Sequence, residues 1–309
     1  MQRTNPDTSF IEPYTQKSTF LLEGVALAAT LYTPECSTRT PLPAILMVGG
    51  WGSVQRALTY PFVCHFVQAG FAVMEFDFQG WGMSAGWPRQ NINPWQRVKA
   101  ASTALAHLKA QTEVDASQVF LWGTSFGGGH VVDLAVLHPD VQGVIAQVPM
   151  LDGMAAVKAV PILRLLKFSA YFMAGLVKPG YALTLPTLGA KGDFATMDRD
   201  GAWDAMQLGL GAIKEAKYVN LVTSGSLLYM GFYRPVTQLK NVQVPMLLVG
   251  AVNDSVAPYV AKKIASVNNP NIQTVEINAN HFDPYFEPVF SSNIKAQLAF
   301  LQERLRNIS

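Results

Sequence analysis

The sequence predicts an α/β protein built on a mostly parallel, doubly wound sheet, with a helical segment inserted between two of its strands. Three observations carry this expectation. Short apolar runs at residues 44–48, 72–76, 118–122 and 143–148 lead strand-loop-helix units, the rhythm of a parallel sheet with right-handed crossovers. The rhythm lapses from residue 150 to about 241 and resumes at Pro245. Between the third apolar run and its helix, the chain reverses across Gly123-Thr124-Ser125-Phe126-Gly127.

In chain order, two β-rich runs between Ser18 and Tyr32 flank Glu23-Gly24 and read as a hairpin. Ala44 to Val48 (AILMV) is a strand, followed by the loop Gly49-Gly50-Trp51-Gly52-Ser53 and a helix from about Tyr60 to Ala69. Ala72 to Phe76 (AVMEF) is the next strand, and a loop of Gly, Trp and Pro leads to a helix from about Pro94 to Ala110. Gln118 to Trp122 (QVFLW) is apolar enough for a strand covered on both faces, and Phe126 to His138 suits a packed helix. Gly143 to Val148 closes the first series as the sixth strand. The stretch that follows is helical in flavour, broken by Pro, Gly and Met, with no convincing strand. After it come a strand at Pro245 to Val249, a helix near Pro258 to Ser266, a strand at Gln273 to Ile277 and an amphipathic helix from Glu287 to Arg306. The expected division is therefore a core of residues 1–149 and 242–309, with 150–241 inserted after the sixth strand.

Composition narrows the class. Of 309 residues, half are hydrophobic and 14% are charged, against about 25% in ordinary soluble proteins. Such a chain can fill a large core and still line an apolar pocket. A net charge of +2 without a basic block gives no reason to expect nucleic acid as a partner. Cys36 and Cys64 are too few for a disulfide framework and lack zinc spacing, so both read as small buried hydrophobes. The opening residues lack the apolar centre of a signal peptide. The most apolar stretch, Ala159 to Val177, carries Pro161, Arg164 and Lys167, which disfavours a span of about 20 uncharged residues. A cytoplasmic protein without stable membrane insertion is the expectation.

Chemistry is expected at Ser125. The pattern G-x-S-x-G at a strand-to-helix turn lifts a serine Oγ above the sheet edge. Serine needs a base to remove its proton and a third group to orient that base. In an open parallel sheet these groups gather on loops at the carboxyl ends of strands. Of the five histidines, His65, His107, His130 and His138 fall in predicted helices. His281 follows the strand Gln273 to Ile277 and is the candidate base. Two carboxylates follow strands and compete for the third place. Asp254 lies after Pro245 to Val249 and Asp152 after Gly143 to Val148, and each also suits a helix N-cap. Asp283 more plausibly supports the loop of His281. An acyl-transfer centre also needs backbone N–H donors where an oxyanion forms. Phe126, directly after the serine, and Trp51, in the loop after Ala44 to Val48, occupy the positions for them.

The stretches "FDFQGWGMSAGWPRQ", "LWGTSFGGGHV", "AQVPMLDG" and "NHFDPYFEPVF" resemble the α/β-hydrolase superfamily over nearly the whole chain. Within it the sequence is similar to bacterial X-Pro dipeptidyl-peptidase and acetylxylan-esterase-like enzymes, a group that includes polyketide-transferase-like proteins. The spacing of the Ser…Asp…His order in that superfamily favours Asp254 over Asp152. The resemblance implies a Ser125-Asp254-His281 acyl hydrolase with a helical cap after the sixth strand. Many relatives carry a histidine before the glycine of the oxyanion loop; here Gly49 stands there. The expected activity is hydrolysis of an ester or thioester of a fairly apolar small molecule, with no metal or organic cofactor. Transfer of the same acyl group to another acceptor is the alternative, and a non-catalytic binding protein the remote one. No anionic anchor for a substrate amine stands out to favour a peptidase.

Overall fold

The structure is a computed structural model that describes residues 3–35, 41–176, 183–199, 201–211 and 217–308. Cys36 lies outside the described residues. Cys64 is a buried free thiol whose pKa burial pushes up to about 11, as expected of a packed hydrophobe.

Eight strands form the main sheet: β1 (Tyr14–Leu22), β2 (Val25–Thr33), β3 (Leu42–Val48), β4 (Ala72–Phe76), β5 (Val114–Thr124), β6 (Gly143–Gln147), β9 (Met246–Ala251) and β10 (Ile272–Ile277). Their spatial order is β1-β2-β4-β3-β5-β6-β9-β10, with β1/β2 and β2/β4 antiparallel and all later pairs parallel. The succession β4-β3-β5 means that the chain leaves β3 to one side and later returns to its other side. A crevice therefore opens at the carboxyl ends of β3 and β5, where open α/β sheets bind their ligands.

Every residue of β3, β4 and β6 is buried, because helices cover both faces. On one face, residues of α2 (Pro94–Lys109) and α3 (Phe126–Leu137) join the core formed by Leu46, Met74, Leu121 and Leu248. On the other, α1 (Tyr60–Gln68) and α8 (Val289–Ile308) enclose an aromatic core of Phe62, Phe66, Trp122 and Phe290. The helix after β9, α7 (Ala261–Val267), buries Ile264 against the first of these cores.

Between β6 and its neighbour β9 the chain makes α4 (Gly153–Lys158), α5 (Ile162–Leu176), α6 (Ala202–Gly211) and several 3-10 turns. One correction applies to the sequence reading. This segment contains two strands, β7 (Thr184–Leu185) and β8 (Val222–Thr223), paired antiparallel. Two residues are too short to display a period-2 pattern. No helix among the described residues is long and apolar enough to cross a membrane.

The turn from β5 into α3 is held by crowding. A Cβ at Gly127 would collide with the Val48 carbonyl oxygen and come within 2.5 Å of that of Gly49, so α3 packs directly on the chain leaving β3. Beside this contact, the loop after β3 lies on a buried acid, Glu75 of β4. Its carboxyl accepts the Thr59 hydroxyl and, at 3.1 Å, the Arg56 amide. Burial nevertheless outweighs these bonds and raises its pKa from 4.5 to about 7.

Two outcomes follow from these packings. Gly127→Ala is expected to lower stability by about 2 kcal/mol or more through overpacking, whereas Gly225→Ala, whose Cβ would meet open space, should stay within about 0.5 kcal/mol. Urea unfolding midpoints compare the two. Between pH 4.5 and about 7, native Glu75 holds a proton that the unfolded chain has released, so its contribution falls as pH rises through that window. Glu75→Gln should therefore gain on the unmodified protein by up to about 3 kcal/mol between pH 4.5 and 8. An unfolding free-energy difference independent of pH would show that Glu75 titrates normally.

Candidate active site

Ser125 joins β5 to α3 with φ +55° and ψ −122°, a conformation that L-residues rarely adopt and that costs about 1–3 kcal/mol. Two bonds hold it there: the Ser125 amide donates to the Gln147 carbonyl at 2.9 Å, and its carbonyl accepts the Met150 amide at 2.9 Å. Both partners belong to β6 and its exit. The strained residue is thus clamped by the neighbouring strand.

Beneath the turn, a buried set of amides ties the sheet to α8. Gln147 Oε1 accepts from Asn293 Nδ2 and Gln297 Nε2, each at 2.7 Å, and Gln297 Oε1 accepts the Trp122 indole N–H at 2.8 Å. Gln147 Nε2 donates to Thr124 Oγ1 at 3.3 Å, and that hydroxyl pairs with the Tyr285 phenol. Residues 122, 124 and 147 are therefore fixed from below while Ser125 projects above.

His281 is brought to Ser125 by the loop after β10. Its Nε2 lies 2.9 Å from Ser125 Oγ and its Nδ1 2.5 Å from Asp254 Oδ2. With Nδ1–H donating to the carboxylate, Nε2 is left to accept the serine proton. Asp254 Oδ1 accepts the amides of Val256 and Ala257 at 2.8 and 2.7 Å, so both carboxylate oxygens are committed. His281 and Asp254 are both buried. The loop carrying His281 is braced by Asp283, which accepts the Asn280 amide at 2.9 Å and the Arg3 Nε at 2.9 Å.

Asp152 is elsewhere engaged. It caps α4, accepting from the Met154 and Ala155 amides at 3.1 and 3.4 Å, and pairs with Arg234 and Lys263. Burial pushes its carboxyl up, but the bonds from Lys263 and Arg234 prevail and hold it below the usual range. Its role is to tie the inserted segment to α7. The other histidines also have local partners: His65 the Pro61 carbonyl, His107 Ser18, His130 Tyr233 and His138 Ser102. His138 sits at the C-cap of α3 rather than within it.

Trp51 and Phe126, which line a cavity together with Ser125, meet with ring centroids 5.2 Å apart and planes perpendicular. Phe126 opens α3, so its N–H belongs to the first turn and has no partner within the helix. The Trp51 indole N–H donates to Thr196 Oγ1 at 3.1 Å, a contact from the inserted segment that no local pattern announces. Two cavities meet at this point. One of about 510 Å³ is lined by Ser125, Phe126 and apolar residues of the insertion, including Phe168, Phe172, Leu227 and Met230. The other, of about 70 Å³, runs past His281, Leu188, Met206 and Tyr218. Trp51, Ser125 and Met197 belong to both.

Comparisons with known proteins agree with this architecture. The family described as serine aminopeptidase, S33 matches residues 40–276. The chain is 28% identical over 282 residues to the quorum-quenching protein AidA of Acinetobacter baumannii, covering 90% of this chain and 91% of that one. It is 26% identical over 149 residues to the thiohydrolase aneE of Aspergillus aculeatus, covering 48% and 45% respectively. Among solved structures, DcsB in complex with its substrate analogue superposes with a TM-score of 0.78 at 20% identity, covering 95% of this chain and 99% of that one. A sheet of this order and a family match over most of the chain lead to one assignment: the chain belongs to the S33 serine aminopeptidase family of α/β hydrolases.

Proposed function

We propose that the protein is a serine hydrolase that cleaves a carboxylic ester or thioester of a fairly apolar small molecule through an acyl-Ser125 intermediate. The observation that carries this reading is the continuous chain Asp254–His281–Ser125, at 2.5 and 2.9 Å. His281 Nε2 takes the Ser125 proton as Oγ attacks the substrate carbonyl. The amides of Phe126 and Trp51 receive the oxyanion. Collapse of the tetrahedral adduct expels the alkoxide or thiolate, which leaves with the proton from His281. Water then gives a proton to His281 and attacks the acyl carbon, and the second collapse returns that proton to Ser125 Oγ and releases the carboxylic acid. Asp254 holds the imidazole tautomer and stabilises the imidazolium throughout.

Residues 150–241 act in this reading as a cap that supplies the acyl pocket. Among the described residues lining the large cavity, Arg199 is the one charged side chain, and it faces Asp198 at 3.5 Å. Apolar walls of this kind select by shape and buried area. Among the described residues lining the two cavities there is no carboxylate that could receive a substrate amine, which favours esters over peptides with a free amino terminus despite the family's name. The thiohydrolase name of one relative supports a thioester as one form of substrate.

A serine-directed phosphonate should attach to Ser125, and Ser125→Ala should lower kcat by about 10⁴-fold or more. Asp254→Asn should leave a folded protein with a large loss of rate, while Asp152→Asn should cost mainly stability; the reverse pattern would move the acid to the loop after β6. Mass spectrometry of the adduct and steady-state kinetics decide both. Product analysis with and without an added alcohol separates hydrolysis from acyl transfer.

With p-nitrophenyl esters of increasing length, kcat/KM should rise from acetyl to medium-chain or compact hydrophobic acyl groups and then fall. Each buried CH₂ contributes at most about 0.8 kcal/mol until the pocket is full. A profile peaking at acetyl, or a preference for charged acyl groups, would overturn the apolar-pocket reading.

A further inference from the structure

We infer that Arg97 is a positioning residue for the oxyanion site: by holding the Gly50 carbonyl, it turns the N–H of the same peptide, that of Trp51, toward Ser125. This rests on the acyl-serine reading above.

Arg97 projects from α2, on the face of the sheet opposite α1 and α8, and is buried at 3% exposure. Its Nη1 donates to the Gly50 carbonyl at 2.9 Å, and the guanidinium lies over the rings of Phe78 and Trp81 at 4.3 and 5.3 Å. Its Nε and Nη2 are buried without acceptors. A cation placed in an apolar core with, among the described residues, one hydrogen bond and no paired carboxylate is a poor structural element, since an apolar residue of similar volume would pack there without desolvating a charge. Burial draws its pKa down only to about 9, so the charge persists at neutral pH.

The position of that single bond gives the charge a use. A trans peptide is planar and directs its carbonyl and its N–H to opposite sides. The Gly50 carbonyl accepts Arg97 from one direction, and also the Ser53 amide at 3.3 Å, so the Trp51 N–H is directed the other way. Gly50 itself abuts the serine: a Cβ built on it would lie 3.1 Å from Ser125 Cβ and 3.2 Å from the Thr124 carbonyl oxygen. The peptide that carries the donor is thus wedged between the nucleophile and the guanidinium. A charge-assisted bond at the carbonyl polarises the amide and strengthens its N–H as a donor. In the sequence, a lone arginine within a predicted helix looks like a solvated one, so no local pattern marks Arg97.

The test compares two ligands of the same chain length: an alkyl trifluoromethyl ketone, which a serine converts to a hemiketal oxyanion, and the corresponding methyl ketone, which reports ground-state binding. In Arg97→Met the ratio of their affinities should fall about 10-fold or more, kcat for a p-nitrophenyl ester should fall comparably, and KM should stay within about twofold. Arg97→Lys, which restores a charged donor, should recover part of both. Should the methionine variant not fold, the lysine variant decides, and its ratio must still fall. A folded variant that keeps the wild-type ratio overturns the role of Arg97. If the unmodified protein shows no preference for the trifluoromethyl ketone, or Ser125→Ala retains it, the acyl-serine reading fails and takes this inference with it.

Discussion

The contact on which the rest of the site depends is that between the chain leaving β3 and the turn from β5 into α3. Gly127 rests on the carbonyls of Val48 and Gly49, and Gly50 rests on Ser125. Because β3 and β5 are adjacent and parallel, their exits are forced side by side, and only residues without a Cβ let the two backbones touch. That proximity places a backbone amide and a strained serine within one small volume. Nearby side chains then adjust to a geometry already set by main-chain packing.

The polar groups around this contact divide between those that support the sheet edge from below and those that meet Ser125 above it. Gln147, Asn293 and Gln297 satisfy one another beneath the sheet edge, so the buried amides stiffen the floor without reaching the crevice. Asp254 combines both duties. One oxygen organises its own loop and the other faces His281, which means that the loop cannot relax without also releasing the imidazole. A partly satisfied network is costly in a low-dielectric interior, whereas a fully engaged one specifies a single arrangement.

Much of this was legible in the chain. The alternation of strands and helices, the glycines about Ser125 and the position of His281 after a late strand are local patterns, and all survive in the fold. The choice between Asp254 and Asp152 was not local, since both follow strands and both accept backbone amides in turns. The superfamily's spacing favours Asp254, and three-dimensional placement shows how the two differ: Asp152 meets Arg234 and Lys263, and Asp254 meets His281. Likewise Thr196, which holds the Trp51 indole, lies 145 positions away in the sequence. Arg97 went unread because burial of a long cation within a helix leaves no signature in periodicity. The two-residue strands β7 and β8 are beneath the length at which alternation can be seen.

The inserted segment leaves the sheet at β6 and re-enters at β9, and these two strands are neighbours in register. Its ends are therefore fixed close together by hydrogen bonds that do not involve the insertion. For a flexible connection between fixed ends, closure entropy grows only slowly with length. A change of length there leaves the pairing of β6 with β9 in place. Closing the gap between β6 and β9 thus places little demand on the sequence that spans it, whereas the turn at Ser125 is bound by direct backbone contact.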